Sequence, residues 1–267
     1  MQKTFRYNNA DIFYRIEGEG KPVMLLHGFG EDSQIWDKQA EFLKEQYQIF
    51  LPDIPGSGNS GILQHVSEVA ITDYADCMYA LLQHENIAQI IMLGHSMGGY
   101  ITLAFAEKYP GLLKAFGLIH STAFGEDEEK KQNRLRSNKT IDQYGSYAFL
   151  KAAIPKLFSK KFKTKHPEKV KELIEQGKNF SKKALQEYNL AMMNRPDRTH
   201  VLRGSELPVF FVIGTEDVVA PLNDVLQQTH LPKTAYIHIL ENVAHEGMWE
   251  ATEKVNQYLL NFISEIE

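Results

Sequence analysis

Six short runs of apolar residues constrain the fold of this chain more than any other feature of its sequence. Each run is followed by glycine or proline and then by residues at helical spacing, and the runs cover residues 23–26, 49–51, 90–93, 116–119, 209–213 and 236–240. Uninterrupted apolar runs of this length are typical of strands buried on both faces of a parallel sheet. Parallel strands need crossover connections, which helical patterns supply at about 34–46, 68–84, 97–108 and 250–264. The sequence therefore predicts an α/β fold with a mostly parallel central sheet and helices on both faces.

The first seventeen residues follow a different period. Apolar side chains alternate with polar ones on both sides of an asparagine pair at positions 8 and 9, at Phe5, Tyr7, Ile12, Tyr14 and Ile16. Period-two alternation around two turn-forming residues predicts an antiparallel hairpin. We therefore expect the parallel sheet to be preceded by an N-terminal antiparallel hairpin.

The stretch between His120 and Pro208 contains no strand pattern in nearly ninety residues. Its apolar residues recur at helical spacing, which predicts a helical insertion over 121–204. Residues 1–120 and 205–267 would then form one core domain. Ligands in open α/β sheets bind beyond the carboxyl ends of the strands, so an insertion that leaves from such an end is placed to form a cap over the site.

The charges divide unevenly between these two parts. The whole chain has 29 Lys and Arg and 34 Asp and Glu, but residues 121–204 contain 19 basic and 10 acidic side chains. The basic segment is either a solvated helical surface attracted to an acidic body, or a surface that gathers anionic substrates. Nucleic acid is not an expected partner, because the lysines are interspersed in apolar helical patterns without a recognition module.

Size and composition are those of a globular protein. The chain has 267 residues, of which 43% are hydrophobic. We find no secretory signal and no run of the roughly 18 apolar residues that a membrane span needs, so we expect a cytoplasmic protein. Its single cysteine, Cys77, excludes an internal disulfide and any site of several thiolates, and its helical apolar surroundings predict a buried packing role.

The stretch LGHSMGG, residues 93–99, places a serine between two glycines directly after an apolar run. Glycine permits positive φ and close backbone approach, so Gly94 and Gly98 allow Ser96 to occupy a sharp bend. The residues that follow have helical spacing as far as Tyr109. A serine between a strand and a helix has the setting of a nucleophile elbow, which exposes the hydroxyl at the top of the sheet.

Taken together and in order, five segments resemble the α/β-hydrolase family over nearly the whole chain, least in the insertion. They are His27-Gly28-Phe29-Gly30, the run from Asp53 to Ser60, Gly94-His95-Ser96-Met97-Gly98-Gly99, Gly214-Thr215-Glu216-Asp217, and His245 with Glu250. The resemblance implies the α/β-hydrolase fold with a helical cap. It also implies that the site is supported by motif residues around the reacting groups, namely His27, Gly28, Gly30, Gly94, His95 and Gly98.

A serine hydroxyl needs a base within hydrogen-bond reach and a third group that orients the base. The order of the family, serine then acid then histidine, implies that Ser96 is the nucleophile, Asp217 the acid and His245 the base. Glu216 and Asp224 lie near Asp217 in the sequence and compete for the role of the acid.

The resemblance also implies an oxyanion hole built from two backbone N–H groups. One belongs to Met97, the residue after the nucleophile, and the other to Phe29 in the loop after the first long parallel strand. A glycine turn without a chemical role is the alternative for that loop.

We predict neither a metal site nor a cofactor. The histidines show no HExxH pairing, and His245-Glu246 is only an adjacent dipeptide. Residues 55–61, PGSGNSG, lack the lysine of a phosphate-binding loop and are interpreted as a turn, and Ser57 and Ser60 there are weak rivals to Ser96. Among the other histidines, His95 is expected to point elsewhere along the bend.

Large apolar side chains are candidates for the lining of a substrate pocket. They are Phe149, Phe158 and Met192 in the insertion, and Trp249 four residues beyond the expected base. Packing against the body of the protein is the alternative for each. If they line the pocket, the substrate has an apolar acyl or alcohol group.

The sequence thus predicts a serine hydrolase that cleaves an ester or related acyl bond of a small, mainly apolar molecule. A lactonase, thioesterase, perhydrolase, acyltransferase or C–C bond hydrolase would use nearly the same residues. Two alternatives of other classes are a hydrolase-shaped ligand receptor or signalling partner with little turnover, and a basic module that binds an acidic partner. The oligomeric state stays open.

Overall fold

The computed structural model describes residues 1–64 and 68–266, and the fold begins with the expected hairpin. Strands β1 (Gln2–Tyr7) and β2 (Ala10–Glu17) pair antiparallel. Asn8 and Asn9 join them with φ angles of 44° and 59°. Two consecutive left-handed residues make a turn whose twist matches that of the strands, and asparagine tolerates this conformation better than most residues. The prediction of an N-terminal hairpin is confirmed.

Six further strands follow in the described part of the chain, one for each apolar run. They are β3 (Lys21–Leu26), β4 (Tyr47–Pro52), β5 (Ile90–His95), β6 (Leu113–Ile119), β7 (Val209–Gly214) and β8 (Ala235–Leu240). The order across the single sheet is β1-β2-β4-β3-β5-β6-β7-β8. β2 pairs antiparallel with β4, and all later pairs are parallel. The predicted α/β-hydrolase fold class is confirmed.

The helices of the described residues connect these strands or cover them. They are α1 (Asp37–Leu43), α2 (Ile71–His84), α3 (Met97–Lys108), α4 (Glu128–Tyr144), α5 (Ser146–Ala153), α6 (Lys160–Lys165), α7 (Pro167–Gln176), α8 (Lys182–Met193), α9 (Thr199–Arg203), α10 (Leu222–Leu226), α11 (Gly247–Glu250) and α12 (Thr252–Glu265). Short 3₁₀ helices lie at Ser33–Trp36, Pro110–Leu112, Ile154–Leu157 and Gly177–Asn179. None of the described helices is long and apolar enough to cross a lipid bilayer.

The strand order places a functional crevice between β3 and β5. From β3 the chain crosses to β4 on one side, whereas from β5 it crosses to β6 on the other side. Right-handed crossovers in opposite directions put the connecting helices α1 and α3 on opposite faces of the sheet. The loops that leave β3 and β5 therefore diverge, and the gap between them is the place where open α/β sheets bind ligands.

One strand differs from the expectation of burial on both faces. β8 is an edge strand, and Ile237 and Ile239 on one of its faces are each 43% exposed. On the other face, the ring of His238 stacks on that of Tyr258 from α12 at 4.0 Å. The apolar run correctly predicted a strand. A run alone does not show whether helices cover both faces of that strand or only one.

The long segment between β6 and β7 is helical, as expected. It contains α4 to α9, and no strand lies in it. Its helices differ in how much apolar surface they bury. α4 buries just Ile141 along seventeen residues, whereas α8 buries Leu185, Tyr188 and Met192 among others. α4 therefore presents most of its charged residues to solvent, and the other helices supply most of the buried apolar side chains of the segment.

Candidate active site

Ser96 lies at the sharp bend between β5 and α3. Its φ is 49° and its ψ is −116°, a strained conformation for a residue with a side chain. The flanking glycines allow this bend because their neighbours leave no room for a Cβ atom. A Cβ on Gly94 would lie 2.2 Å from the carbonyl carbon of Gly98, and a Cβ on Gly98 would lie 2.5 Å from the carbonyl oxygen of Leu26. The bend aims a serine that is 8% exposed at the carboxyl edge of the sheet.

Two backbone N–H groups beside Ser96 are free to bind an oxygen. Met97 is the first residue of α3, where helix geometry leaves N–H groups without partners. Phe29 lies in the loop after β3, and the neighbouring Gly28 is close enough that a Cβ there would be 3.0 Å from the Cβ of Ser96. Among the described residues, neither the N–H of Met97 nor that of Phe29 donates a hydrogen bond. The pair can therefore receive a negatively charged oxygen next to the serine.

Asp217 follows β7 and meets His245, which follows β8. The Nδ1 atom of His245 lies 2.9 Å from Oδ2 of Asp217. The other oxygen, Oδ1, accepts the backbone N–H groups of Val219 at 2.8 Å and Ala220 at 2.9 Å. These hydrogen bonds orient the carboxylate, and the carboxylate in turn holds the imidazole with Nε2 directed away from it.

The electrostatics keep Asp217 ionised. Burial alone would raise the pKa of this carboxyl, because it disfavours the charged form. The charge and hydrogen bonds of His245 and His120 outweigh burial and lower the pKa far below its ordinary value. A permanently charged carboxylate in this position can pair with a positive charge that forms on the imidazole during proton transfer.

His120 is a residue that the sequence did not single out. It ends β6 with a φ of 48°, is wholly buried, and places Nδ1 3.1 Å from the same Oδ2 atom of Asp217. Burial lowers the pKa of His120 to about 4, although Asp217 acts in the opposite direction. The ring is therefore neutral near pH 7 and donates its Nδ1–H to Asp217. Its position directly after a buried strand was the one signal available in the sequence.

The imidazole of His245 lies close to the elbow. Its ring centroid is 4.8 Å from that of His95, the residue before Ser96. Among the described residues, the hydroxyl of Ser96 makes no hydrogen bond to His245. Hydrogen bonds of this kind are often long without substrate and shorten in the complex.

A second buried cluster lies behind the bend. Glu31 Oε2 accepts the backbone N–H of Gly28 at 2.7 Å and lies 3.1 Å from Nδ1 of His95. The other ring nitrogen of His95 lies 3.1 Å from the carbonyl oxygen of His245. Glu246 is also wholly buried, and no N–H or hydroxyl group of the described residues donates to either of its carboxyl oxygens. As expected, His95 points away from the hydroxyl of Ser96, but towards carboxyl groups that no sequence motif marked.

The remaining motif residues support loops. His27 Nε2 accepts the backbone N–H of Ile54 at 2.9 Å and contacts the hydroxyl of Ser57 at 2.8 Å. Asp53 accepts the N–H groups of Ser33 and Asn59, each within 2.9 Å. The segment after β4 is thus a turn held by its own side chains. Ser57 is occupied there, away from the bend at Ser96.

The helical segment contacts the loops around the site. The ring of Phe29 lies 6.2 Å from that of Phe149 in α5 and 6.3 Å from that of Tyr188 in α8. The N–H of His245 donates to the carbonyl oxygen of Leu157 at 2.9 Å. Glu250 also joins the two parts, because its Oε1 atom accepts the N–H groups of Ser159 at 3.1 Å and Ala244 at 3.2 Å. Helices of this segment therefore touch both the loop of Phe29 and the loop of His245.

The other large side chains named from the sequence make packing contacts away from the ring of Phe29. Phe158 is buried and stacks on Phe162. Met192 is buried in α8, and its carbonyl oxygen accepts a hydrogen bond from Arg195. The indole N–H of Trp249 donates to the carbonyl oxygen of Ile35. These contacts describe packing, and the contact of Phe149 with Phe29 lies nearest to the bend.

Among residues 1–64 and 68–266, two groups of side chains have a composition that metals accept. They are His120, Asp217 and His245, and Glu31, His95 and Glu246, each with its donor atoms within 4.8 Å of one another. In the first group, both histidines already use Nδ1 to contact Asp217. In the second, Glu31 and both nitrogens of His95 are engaged in hydrogen bonds. These partners favour hydrogen-bonded networks in both places.

Comparisons with known proteins agree with this architecture. A family model described as the alpha/beta hydrolase fold matches residues 21–252. The chain is 25% identical to (E)-2-((N-methylformamido)methylene)succinate hydrolase of Acinetobacter baylyi, covering 96% of each chain. It is 28% identical to Lipase 3 of a Moraxella species, covering 90% of this chain and 76% of that one.

Among solved structures, a thermophilic esterase from Thermogutta terrifontis, with malate bound, is similar with a TM-score of 0.92. The two sequences are 24% identical, and the match covers 100% of this chain and 99% of the esterase chain. At this identity the likeness concerns the fold. Together with the family match over residues 21–252, it shows that this chain belongs to the alpha/beta hydrolase fold family.

Proposed function

We propose that this protein is a serine hydrolase that cleaves an ester or closely related acyl bond, with Ser96, His245 and Asp217 as its catalytic residues. The observation that carries the proposal is the 2.9 Å contact between Asp217 and the imidazole of His245 at the edge where Ser96 is held at positive φ. A strained serine and an oriented imidazole beside one another are the two parts that acyl transfer needs.

The reaction proceeds in two halves. The hydroxyl oxygen of Ser96 attacks the carbonyl carbon of the substrate while its proton passes to Nε2 of His245. That proton then goes to the leaving alcohol oxygen as the ester bond breaks, which leaves an acyl group on Ser96. Water repeats the sequence: it loses a proton to His245, attacks the acyl carbon and releases the acid, and the proton returns to Ser96.

The role of Asp217 is to hold the correct tautomer. Because its carboxylate faces Nδ1, the proton of a neutral His245 resides on Nδ1, and Nε2 is free to accept the proton of Ser96. The positive charge that then forms on the imidazole is paired with a carboxylate that is ionised throughout.

The negative oxygen of each tetrahedral intermediate would be received by the N–H groups of Met97 and Phe29. Donors of this kind stabilise the transition state by about 3 kcal/mol each, because they are oriented before the charge develops. Both groups are free of other hydrogen bonds among the described residues. A side-chain substitution at Phe29 would alter the fit of the substrate more than the chemistry.

Residues 121–204 are proposed to be a cap over this site, with residues 1–120 and 205–267 as the core domain. The contacts of Phe149 and Tyr188 with Phe29 support this arrangement and an apolar binding surface. Phe158, Met192 and Trp249 stay candidates for more remote parts of the lining. The relatives include a lipase and a hydrolase of a substituted succinate, so both apolar and carboxylate-bearing substrates belong in a first screen.

The test combines covalent labelling with turnover. Wild-type protein is treated with a fluorophosphonate and assayed on p-nitrophenyl esters of short and medium acids, a lactone and a thioester. We expect an adduct on Ser96, and losses in kcat of about 10⁴ to 10⁶ for both Ser96→Ala and His245→Ala. The control Ser264→Ala removes an exposed hydroxyl at the end of α12 and should leave kcat unchanged.

Two outcomes would contradict the proposal. If Ser96→Ala retained more than about a tenth of the activity, another residue would be the nucleophile. If wild-type protein bound these compounds but neither formed an adduct nor turned any of them over, a ligand receptor with the same fold would be the better interpretation.

A further inference from the structure

The cluster of Glu31, His95 and Glu246 connects the three loops on which the proposed chemistry depends. Glu31 accepts the N–H of Gly28, the residue before Phe29. His95 directly precedes Ser96, and its Nε2 atom contacts the carbonyl oxygen of His245. Glu246 directly follows His245, and one of its carboxyl oxygens lies within 4.8 Å of both a carboxyl oxygen of Glu31 and a ring nitrogen of His95. All three side chains are buried, so a change of charge among them cannot be screened by solvent.

The hydrogen-bond partners determine where the protons of His95 and Glu31 lie. The Nε2 atom of His95 faces a carbonyl oxygen, which has no proton to give, so Nε2 carries one. Its Nδ1 atom faces Oε2 of Glu31, which also accepts the N–H of Gly28. Because the charge of His95 and the hydrogen bonds lower the pKa of Glu31, Oε2 is a carboxylate oxygen that accepts from both Nδ1 of His95 and the N–H of Gly28. His95 is therefore an imidazolium and Glu31 its carboxylate partner.

The electrostatic surroundings agree with this assignment. Burial lowers the pKa of His95, but the charge and hydrogen bond of Glu31 outweigh burial and raise it. Burial likewise raises the pKa of Glu31, whereas His95 and the N–H of Gly28 bring it well below its ordinary value. Each partner stabilises the charged form of the other.

Glu246 is the group left without compensation. Burial raises its pKa well above the ordinary value, and the carboxylates of Glu31, Asp217 and Glu250 raise it further. The one imidazolium nearby already faces Glu31. The other histidines near the cluster are also engaged elsewhere: His27 contacts Ile54 and Ser57, and the neutral His120 and the imidazole of His245 face Asp217. A second buried carboxylate would thus stand beside Glu31 with no cation of its own.

We propose that Glu246 is a neutral carboxylic acid at neutral pH and that its proton, held against the carboxylate of Glu31, keeps the loops of Gly28, Ser96 and His245 in position. Glu246 is thus a positioning residue for the reaction proposed above, and the inference about activity rests on that function. When the proton dissociates to solvent, two carboxylates face a single imidazolium. The charged Glu246 then competes with Glu31 for His95, and the contacts of Glu31 with His95 and with the N–H of Gly28 weaken.

The experiment compares wild type with Glu246→Gln, because glutamine keeps the shape and an N–H donor but cannot ionise. In wild type we expect kcat to decline on the alkaline side as Glu246 loses its proton, with little change in KM, since the affected loops act on the transition state. In Glu246→Gln this decline should disappear, with kcat at pH 7 lowered by less than about tenfold. The control Glu241→Gln, in the exposed loop after β8, should retain the decline.

Thermal unfolding gives a second readout that needs no substrate. The unfolded state releases the proton of Glu246 near the ordinary value of 4.5, whereas the folded state keeps it to higher pH. Wild type therefore loses stability as the pH rises from about 4.5 towards the raised pKa, and Glu246→Gln does not. We expect the Tm of the variant, relative to wild type, to increase between pH 5 and pH 9. In infrared spectra, the carbonyl band of a protonated carboxyl at pH 7 should be present in wild type and weaker in the variant.

Four results would overturn the inference. One is a Tm deficit of Glu246→Gln that is the same at every pH, and another is an alkaline decline of kcat that the substitution leaves in place. The third is a divalent cation bound one to one in wild type, lost in Glu246→Gln, whose removal by a chelator abolishes activity. The fourth is the absence of any protonated-carboxyl band from the infrared spectrum of wild type at pH 7, a result that needs no folded variant. If no ester were turned over, the proposed function would fail while the Tm and infrared readouts still judged Glu246.

Discussion

The molecule contains two buried carboxylates that both face imidazole rings, and they differ in what surrounds them. Asp217 receives four donors, two from histidine rings and two from the backbone. Glu31 receives one histidine and one backbone N–H and has a second carboxyl group, Glu246, as a neighbour. Asp217 therefore has all its acceptor sites occupied, whereas the Glu31 cluster depends on a proton.

Because their surroundings differ, the carboxylates of Asp217 and Glu31 suit different roles. A carboxylate with four donors is insensitive to pH over the range in which enzymes work, and suits a group that must stabilise a transient positive charge. A pair of carboxyl groups that shares one proton beside an imidazolium is sensitive to pH, and suits a structural contact between loops. Each site can be tested by a change that removes its distinguishing feature.

The largest effect should come from Asp217→Asn. The side-chain amide would present an N–H to Nδ1 of His245 and select the tautomer with its proton on Nε2, which cannot accept the proton of Ser96. We expect kcat to fall by about 10⁴ at pH 7 with the fold intact, measured by ester hydrolysis and circular dichroism. A loss no greater than that of Glu246→Gln would mean that the two clusters do not differ in the way described.

A smaller effect is expected for His120→Asn. The amide of asparagine can still donate to Asp217, so we expect kcat at pH 7 to fall by about tenfold or less. Stability should change more on the acid side. The pKa of His120 is 6.5 in the unfolded chain and about 4 in the folded protein. Because the unfolded state binds the proton more readily, wild type loses stability as the pH falls through this interval.

That loss amounts to roughly 3 kcal/mol for His120 alone, and the substitution removes it. Denaturant unfolding at several pH values between 7 and 4 measures the difference in free energy between wild type and His120→Asn. A difference that stays constant across this interval would contradict the assignment of a neutral His120.

The smallest effect should come from Glu216→Gln. Glu216 is the neighbour of Asp217 in the sequence, but it is exposed, and its backbone N–H pairs with the carbonyl oxygen of Val243. Because its carboxylate faces solvent, we expect kcat to change by less than about twofold and Tm by less than about one degree. A large loss of kcat would transfer the role of the acid from Asp217 to Glu216.

Most of the fold could be predicted because it follows from local patterns. The apolar runs located the parallel strands, and the alternation around Asn8 and Asn9 located the hairpin. Boundaries were less accurate. The helix expected over about 34–46 is a 3₁₀ turn at Ser33–Trp36 followed by Asp37–Leu43, since the ends of helices depend on caps and contacts more than on periodicity.

The candidate site, like the fold, could be predicted only where the sequence carries a local pattern. Ser96, Asp217 and His245 each carry a local signal or a family motif, and the structure brings Asp217 and His245 together as the sequence suggested. Glu31 and Glu246 carry none, and His120 carries only its position directly after a buried strand. Their meaning depends on contacts between residues up to 215 positions apart, such as Glu31 with Glu246, which only the folded chain forms. Neither the periodicity nor the spacing of residues in the sequence indicates whether a buried carboxyl group is protonated.

The hydrogen bond from the N–H of His245 to the carbonyl oxygen of Leu157 has a thermal consequence. It ties the loop of the histidine to the lysine-rich helical segment, while the contact of His95 with the carbonyl oxygen of His245 ties the same loop to the end of β5. Warming that loosens those helices would leave the loop with the second tie alone, and the imidazole would lose part of its alignment while the strands stayed paired. Loss of ester hydrolysis should then precede unfolding of the sheet.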